Sequence, residues 1–481
     1  MTTSSFQSVS LRLRPLAACL AAICATAASA TGTPAPGGAA PAVPHSPTAV
    51  VLNCDDSGPG SLRDTVTAAV SGDTIDLSQL TCSQISLTTG AIVMGQSNLQ
   101  LVGPGRDRLR IDGGSIGGVL YHANFGTLKV SDLTITHGSK YRSDVDSRGG
   151  CIHSDGSVSL YNTEVRTCSV TSTGVYSALG GAVWAQNNVY LSHSTVSGGF
   201  TGALGTGRGD GGGVFGGLSV RSLYSIVSDN NALPPSRGGG IFTTGYLGVF
   251  ESAIYGNYSQ DMGGIAAVYP GSTFSAVFNS TISSNDAQWI GGLYSRSKLY
   301  LYNSTIANNT SYFSNSGHVI GVGLHMGPNL LTTQSSIVAD NSAYLSGGYD
   351  VGGENGVNWT GLHSIIASTS LPPPPDTIWG PSLLGPLADN GGITPTHSLT
   401  TGSFAIDFGD MPPIGSFTND QRGVGFSRLS GGQVDVGAFE SDPDRIFTTG
   451  FSFGRLPPPQ RPAPHPDPEH RAADGPKLGP G

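Results

Sequence analysis

The sequence predicts an all-β protein, a single-stranded right-handed parallel β-helix with a cap at each end. Three observations predict it. Glycine supplies 71 of the 481 residues and only 11 % are charged, less than half the usual ~25 %. That balance excludes a helical bundle or coiled coil, and the glycines show no collagen period. Second, a four-residue phrase ending in Val or Ile, such as Asn279-Ser280-Thr281-Ile282, occurs eight times, starting at residues 162, 193, 224, 251, 279, 303, 335 and 363. The starts lie 24 to 32 residues apart, a solenoid period. A Gly pair before an apolar residue keeps step at Gly149-Gly150, Gly180-Gly181, Gly212-Gly213, Gly239-Gly240, Gly263-Gly264 and Gly291-Gly292. Third, with the last residue of each phrase as zero, positions −5 (Leu160, Leu191, Val249, Val277, Leu301) and −7 (Val158, Val189, Leu247, Leu299) are apolar. Spacing by two marks a strand with one buried face. No ten-residue helical pattern fits between the copies, so the strands become parallel by coiling, and each turn buries its neighbour's inner face.

The elements follow in chain order. Residues 1–30 hold Arg12 and Arg14, an apolar run from Leu16 to Ala28 and the exit Ala28-Ser29-Ala30. A charged start, a short apolar core and small exit residues make a secretory signal, cleaved near Ala30. Cleavage removes both arginines and takes the formal charge from −9 to −11. An acidic surface argues against nucleic acid as a partner. No later segment is apolar enough to span a membrane, which takes ~20 residues. A Pro/Ala/Gly-rich spacer (31–48) leads to an N-terminal cap with the first turns (49–115), including an amphipathic helix near 61–70. The repeats occupy 116–370, a closing C-terminal region 371–440, and a Pro-rich tail 441–481.

Four cysteines remain after cleavage, and the economical pairing joins sequence neighbours, Cys54–Cys82 and Cys151–Cys168. Two other pairings stay formally open. Metal binding is the rival use, but no CxxC occurs, so no metal and no cofactor is expected. Position +3 carries Asn in five consecutive copies, Asn230, Asn257, Asn285, Asn309 and Asn341. Asn tolerates a left-handed corner and stacks into a hydrogen-bonded ladder. Cys168 takes that place in the first copy, where its disulfide would pin the turn.

Two stretches carry a family resemblance. Residues 52–113, with Asn53-Cys54-Asp55-Asp56-Ser57-Gly58-Pro59-Gly60-Ser61-Leu62-Arg63-Asp64 and Gly72-Asp73-Thr74-Ile75-Asp76-Leu77, resemble the N-terminal segment of secreted bacterial right-handed β-helix proteins, which share the pectate-lyase-like solenoid. Residues 383–440 are similar to the C-terminal region of choice-of-anchor Q domain proteins. The matching phrases are Leu387-Ala388-Asp389-Asn390-Gly391-Gly392-Ile393-Thr394-Pro395, Gly402-Ser403-Phe404-Ala405-Ile406-Asp407, Asp420-Gln421-Arg422-Gly423 and Asp435-Val436-Gly437-Ala438-Phe439-Glu440. The resemblance implies a cell-surface protein with a C-terminal anchor. The tail departs from it, having no apolar helix and no sortase-type motif. Arg422 stands among apolar phrases and is expected to pair with Asp407 or Asp435, because a buried charge needs a partner.

Many β-helices degrade polysaccharide, yet no catalytic residue emerges here. Paired acids with Gly-His-Gly and Arg-x-Lys are missing, since Arg296-Ser297-Lys298 has no paired Asp one turn earlier. Asp144 and Asp146 between Arg142 and Arg148 read as a solvated loop, and His193 and His363 at −3 as corner residues. One binding feature stands out. Positions −4 (Tyr161, Phe250, Phe278, Tyr302) and −6 (Tyr190, Tyr300) point away from the core. They would form an aromatic strip suited to sugar rings or a partner protein, unless an inter-strand loop covers it as a second core. The expected function is therefore binding at the bacterial surface, adhesin-like or glycan-binding, by a monomer whose partner is polysaccharide or a surface protein. The alternatives are a polysaccharide lyase or hydrolase with an atypical site, and a structural protein of the envelope or matrix.

Overall fold

The structure is a computed structural model that describes residues 48–268, 274–312, 320–344, 348–380, 382–411 and 417–442. The expected leader, the spacer up to residue 47 and the tail beyond 442 lie outside these residues. The described chain is a parallel β-solenoid of the right-handed type with a single short helix. Twelve strands, from Thr48–Val50 to Asn358–Leu362, form one long sheet, and ten, from Ile92–Met94 to Gly348–Gly353, form a second. An eighteen-stranded sheet makes the third side. A four-stranded strip (Ser147–Arg148, Ala178–Leu179, Gly209–Asp210, Ser236–Arg237) adjoins it.

The core follows the period-two reading. Val158, Val189, Val220 and Leu247 stack in register on the long sheet. The zero positions Val165, Val196, Val227, Ile254, Ile282, Ile306 and Val338 do the same on the eighteen-stranded sheet. All are fully buried, each contributing about 1.5–3 kcal/mol by leaving water. The coil begins before the first phrase, because Ile85, Ile111 and Ile135 stack in register on the strand of Val165.

The corner differs in detail from expectation. Position −3 is left-handed in all eight copies, from Asn162 (φ 45°) to His363 (φ 48°). The second left-handed residue sits at +2, as in Asp229, Ser284, Asn308 and Asp340, one residue before the ladder asparagines. The asparagines themselves are not left-handed, and their amides reach along the coil. Asn230, Asn257, Asn285 and Asn309 each donate Nδ2–H to the Oδ1 of the next Asn at 2.8–2.9 Å. Asn341 ends the row on Asp350. A second ladder runs at −2: the backbone N–H groups of Ser194, Ser225, Ser252 and Ser280 each donate to the next turn's Ser Oγ at 3.0–3.2 Å.

At the N-terminal end, helix α1 (Leu62–Ala68) lays Leu62 and Val66 over the first turn, with Ser61 as its cap. Asp56 accepts from Arg63, Thr88 and Thr89, tying the cap to the coil. Both disulfides, Cys54–Cys82 and Cys151–Cys168, are formed. At the other end the chain adds one more strand, Ile378–Trp379, and then turns back along the outside of the coil. Its contacts run from the turn of Glu251 to that of His363: Thr394 donates to the Glu251 carbonyl, Thr281 to Gln421, Asn279 to the Asn419 carbonyl, and His363 meets Asp410 at 2.6 Å. The region thus clamps the flank. Arg422 pairs with neither Asp407 nor Asp435. The tight turn at Asp420–Gly423 brings Asp420 beneath the guanidinium at 2.6 Å, between the rings of Phe426 and Phe439. Asp435 instead accepts from Asp407 N–H and Ser441.

Candidate ligand-binding face

The Gly-pair corner builds the most developed outer face of the coil. Gly149, Gly180, Gly211 and Gly238 take left-handed φ of 56° to 69°, and a Cβ on Gly150 or Gly181 would strike the carbonyl oxygen of the next turn. Only glycine permits so sharp a fold. The fold joins the four-stranded strip to the ten-stranded sheet. On the strip, Arg148, Leu179, Asp210 and Arg237 stack turn upon turn. On the sheet, Tyr121, His153, Trp184, Phe215 and Phe242 stack in the same way, pointing outward.

The five side chains form one continuous row. Successive ring centroids are 4.6, 4.7, 6.2 and 5.1 Å apart. Arg148 lies 4.8 Å over Trp184 and Arg237 lies 4.7 Å over Phe242, which buries those two rings. Tyr121, His153 and Phe215 stay half-buried. Arg237 forks onto Asp210 at 2.6 and 3.2 Å, and Arg208 bridges to Asp261 at 2.7 Å. Trp184 Nε1 and Arg148 Nε are buried with no hydrogen-bond partner among the described residues.

Titratable groups gather at one end of the row. Tyr121 donates its hydroxyl to Asp155 at 3.1 Å, and His153 Nε2 meets the other Asp155 oxygen at 3.0 Å. Burial, followed by the Lys140 charge, lowers His153 to about 4, so the ring is neutral near pH 7 with its proton on Nε2, facing the carboxylate. Burial, followed by the Arg142 charge, lowers Lys140 to about 8. Its ammonium donates to the Arg148 carbonyl at 2.9 Å and lies 5.9 Å from the Tyr121 ring. Rings with cations beside them offer sugar faces and acidic substituents a platform. The carboxylate, imidazole and amine together make an acid–base set.

Sequence reasoning passed over this row, although its signal was present. His153, Trp184, Phe215 and Phe242 each follow the apolar residue of a Gly-pair phrase. The strip that it did single out is not one open surface. Phe250, Phe278 and Tyr302 stack at 5.7 and 4.8 Å and are 8, 1 and 5 % exposed, beneath Phe417 of the C-terminal region. A distant clamp, not an inter-strand loop, buries them. Tyr190 and Tyr300 remain half-buried, and Tyr161 is open, its ring 5.6 Å from His193. Asp144 and Asp146 form surface ion pairs with Arg142 and Arg148.

Among the described residues no group of His, Cys, Asp and Glu is arranged to hold a metal ion, and no helix is long and apolar enough to cross a membrane. No protein-family model and no curated protein matches the chain. Among solved structures, the crystal structure of pectate lyase Pel9A aligns over 82 % of this chain and 97 % of that one, with a TM-score of 0.38 and 14 % identity. A likeness of that size concerns the fold alone.

Proposed function

We propose that the protein is exported and acts outside the cell by binding polysaccharide, the saccharide lying along the row from Tyr121 to Phe242. The observation that carries this reading is the continuous ring row on successive turns with guanidinium groups over two of its members. Two disulfides support an oxidising compartment, as does the leader read in residues 1–30. The choice-of-anchor Q-like phrases support attachment at the cell surface. A second reading, a polysaccharide lyase or hydrolase, is favoured by the Asp155–His153 pair beside Lys140.

Both readings are tested by one experiment. The full chain is screened against immobilised polysaccharides, while reducing ends and unsaturated products are assayed on the same samples. Binding without product is expected, weakened at least tenfold in Phe215→Ala, about 1.4 kcal/mol, with the unfolding midpoint retained. Product that disappears in His153→Gln would replace the first reading by the second. Failure to bind any polysaccharide would overturn both.

A further inference from the structure

A second constellation lies on the outer face of the twelve-stranded sheet, away from the ring row. Tyr190, Arg221 and Gly248 stack in register on three successive turns. The Arg221 guanidinium sits 5.5 Å from the Tyr190 ring and 5.1 Å from the Tyr246 ring. Tyr246 leans into this position because Gly248 has no side chain: a Cβ there would lie 2.7 Å from the Tyr246 hydroxyl. Phe274 meets Tyr246 edge-on at 5.3 Å and Tyr300 at 6.0 Å, extending the aromatic wall. All five side chains are half-buried.

The cation is held but not neutralised. Arg221 makes no hydrogen bond or ion pair to a described residue, and its Nε is buried without a partner. By contrast Arg148, Arg166, Arg208 and Arg237 each pair with a carboxylate. In a chain of net charge −9 carboxylates are plentiful, so an unpaired guanidinium fixed between two rings is a specific arrangement. A partly desolvated charge gains from a counter-charge. A planar guanidinium whose rotamer is already fixed by stacking offers its N–H fork to a carboxylate or sulfate at little entropic cost. The flanking rings then suit the apolar face of a pyranose.

We propose that Arg221, with Tyr190, Tyr246, Phe274 and Tyr300 around it, is a subsite for an acidic saccharide, taking a carboxylate or sulfate group on the sugar. The proposal stands apart from the Tyr121–Phe242 reading, since the two sites lie on different sheets. It is tested by calorimetric titration of the full chain with three oligosaccharides of equal length: an oligogalacturonate, a sulfated oligogalactan and a neutral oligogalactan. At least one acidic probe is expected to bind tenfold or more tightly than the neutral one, and which one binds identifies the group. Arg221→Gln should lose at least tenfold and Arg221→Lys less, at unchanged unfolding midpoint, and the same loss is expected when Arg221→Gln is made in a Phe215→Ala background. The proposal is overturned if no acidic probe binds, if the neutral probe binds equally, or if Arg221→Gln is silent. It is also overturned if an oligoglutamate peptide binds as tightly as the saccharides. Loss in Phe215→Ala alone would assign the acidic sugar to the ten-stranded sheet, leaving that reading standing and removing this one.

Discussion

At the scale of single residues, the coil depends on polar groups that bond along its axis. Asn285 donates to Asn309 and to the Ile254 carbonyl, and accepts from the Asn257 backbone and side chain, all in buried surroundings. Asn285→Val removes those bonds and leaves neighbours unsatisfied, so it should destabilise by about 1–3 kcal/mol. An unchanged denaturation midpoint would mean the ladder contributes nothing. Glu251 offers a pH test. Burial, assisted by the Asp420 charge, pushes its carboxyl up to about 7 despite the Tyr224 hydrogen bond. This lies above the unfolded value of about 4.3, so the folded chain holds the extra proton. Its contribution to stability is full below the unfolded value and is lost as pH rises through about 7. Buried His153 and His397, with lowered values, act in the opposite sense, so the informative quantity is a difference. Relative to wild type, Glu251→Gln should lose less stability between pH 5 and 8 in thermal melts. Parallel curves for the two proteins would remove Glu251 from the account.

At the scale of elements, the strands were legible in the sequence and the docking of the C-terminal region was not. Leu160 and Val158, two residues apart, report a buried strand face directly, because the inside of a coil is filled by its own repeat. Phe250 and Phe278 look the same in sequence whether bare or covered, since Phe417 reaches them from a segment 139 or more residues away. Asp420 was missed as the partner of Arg422 for a related reason: a turn of two residues, invisible in the apolar pattern, brings it there. Arg422→Ala would strand Asp420 in the interior, an effect worth about 3–5 kcal/mol where burial is complete. It should lower the thermal midpoint and loosen the clamp, exposing Phe417 to limited proteolysis. Resistance equal to wild type would refute that role. The Cys151–Cys168 bridge closes a sequence separation of 17 residues, for which the chain-entropy picture gives about 3 kcal/mol. Cys168→Ser should destabilise by that order, measured in denaturant under non-reducing conditions.

At the scale of the whole molecule, one repeat yields several chemically different outer faces. The inner face is mostly Val, Ile and Leu, with buried Ser222, Ser275 and Thr333 among them, whereas the outer faces vary more widely, and there the rings and charges collect. The row from Tyr121 to Phe242 was overlooked because alignment on the Val/Ile phrase follows the buried strand, whereas the row follows the Gly corner. Its side chains reach their places only once the corner is known to fold both segments to one side. The central claim is that this row holds the ligand. The most direct measurement is a crystal structure of the full chain with an oligosaccharide derived from whichever polysaccharide binds in the screen. The account predicts sugar rings running along the coil axis, against Tyr121, His153 and Phe215 and beside Arg148. Sugar bound elsewhere at full occupancy, with this row bare, would contradict it.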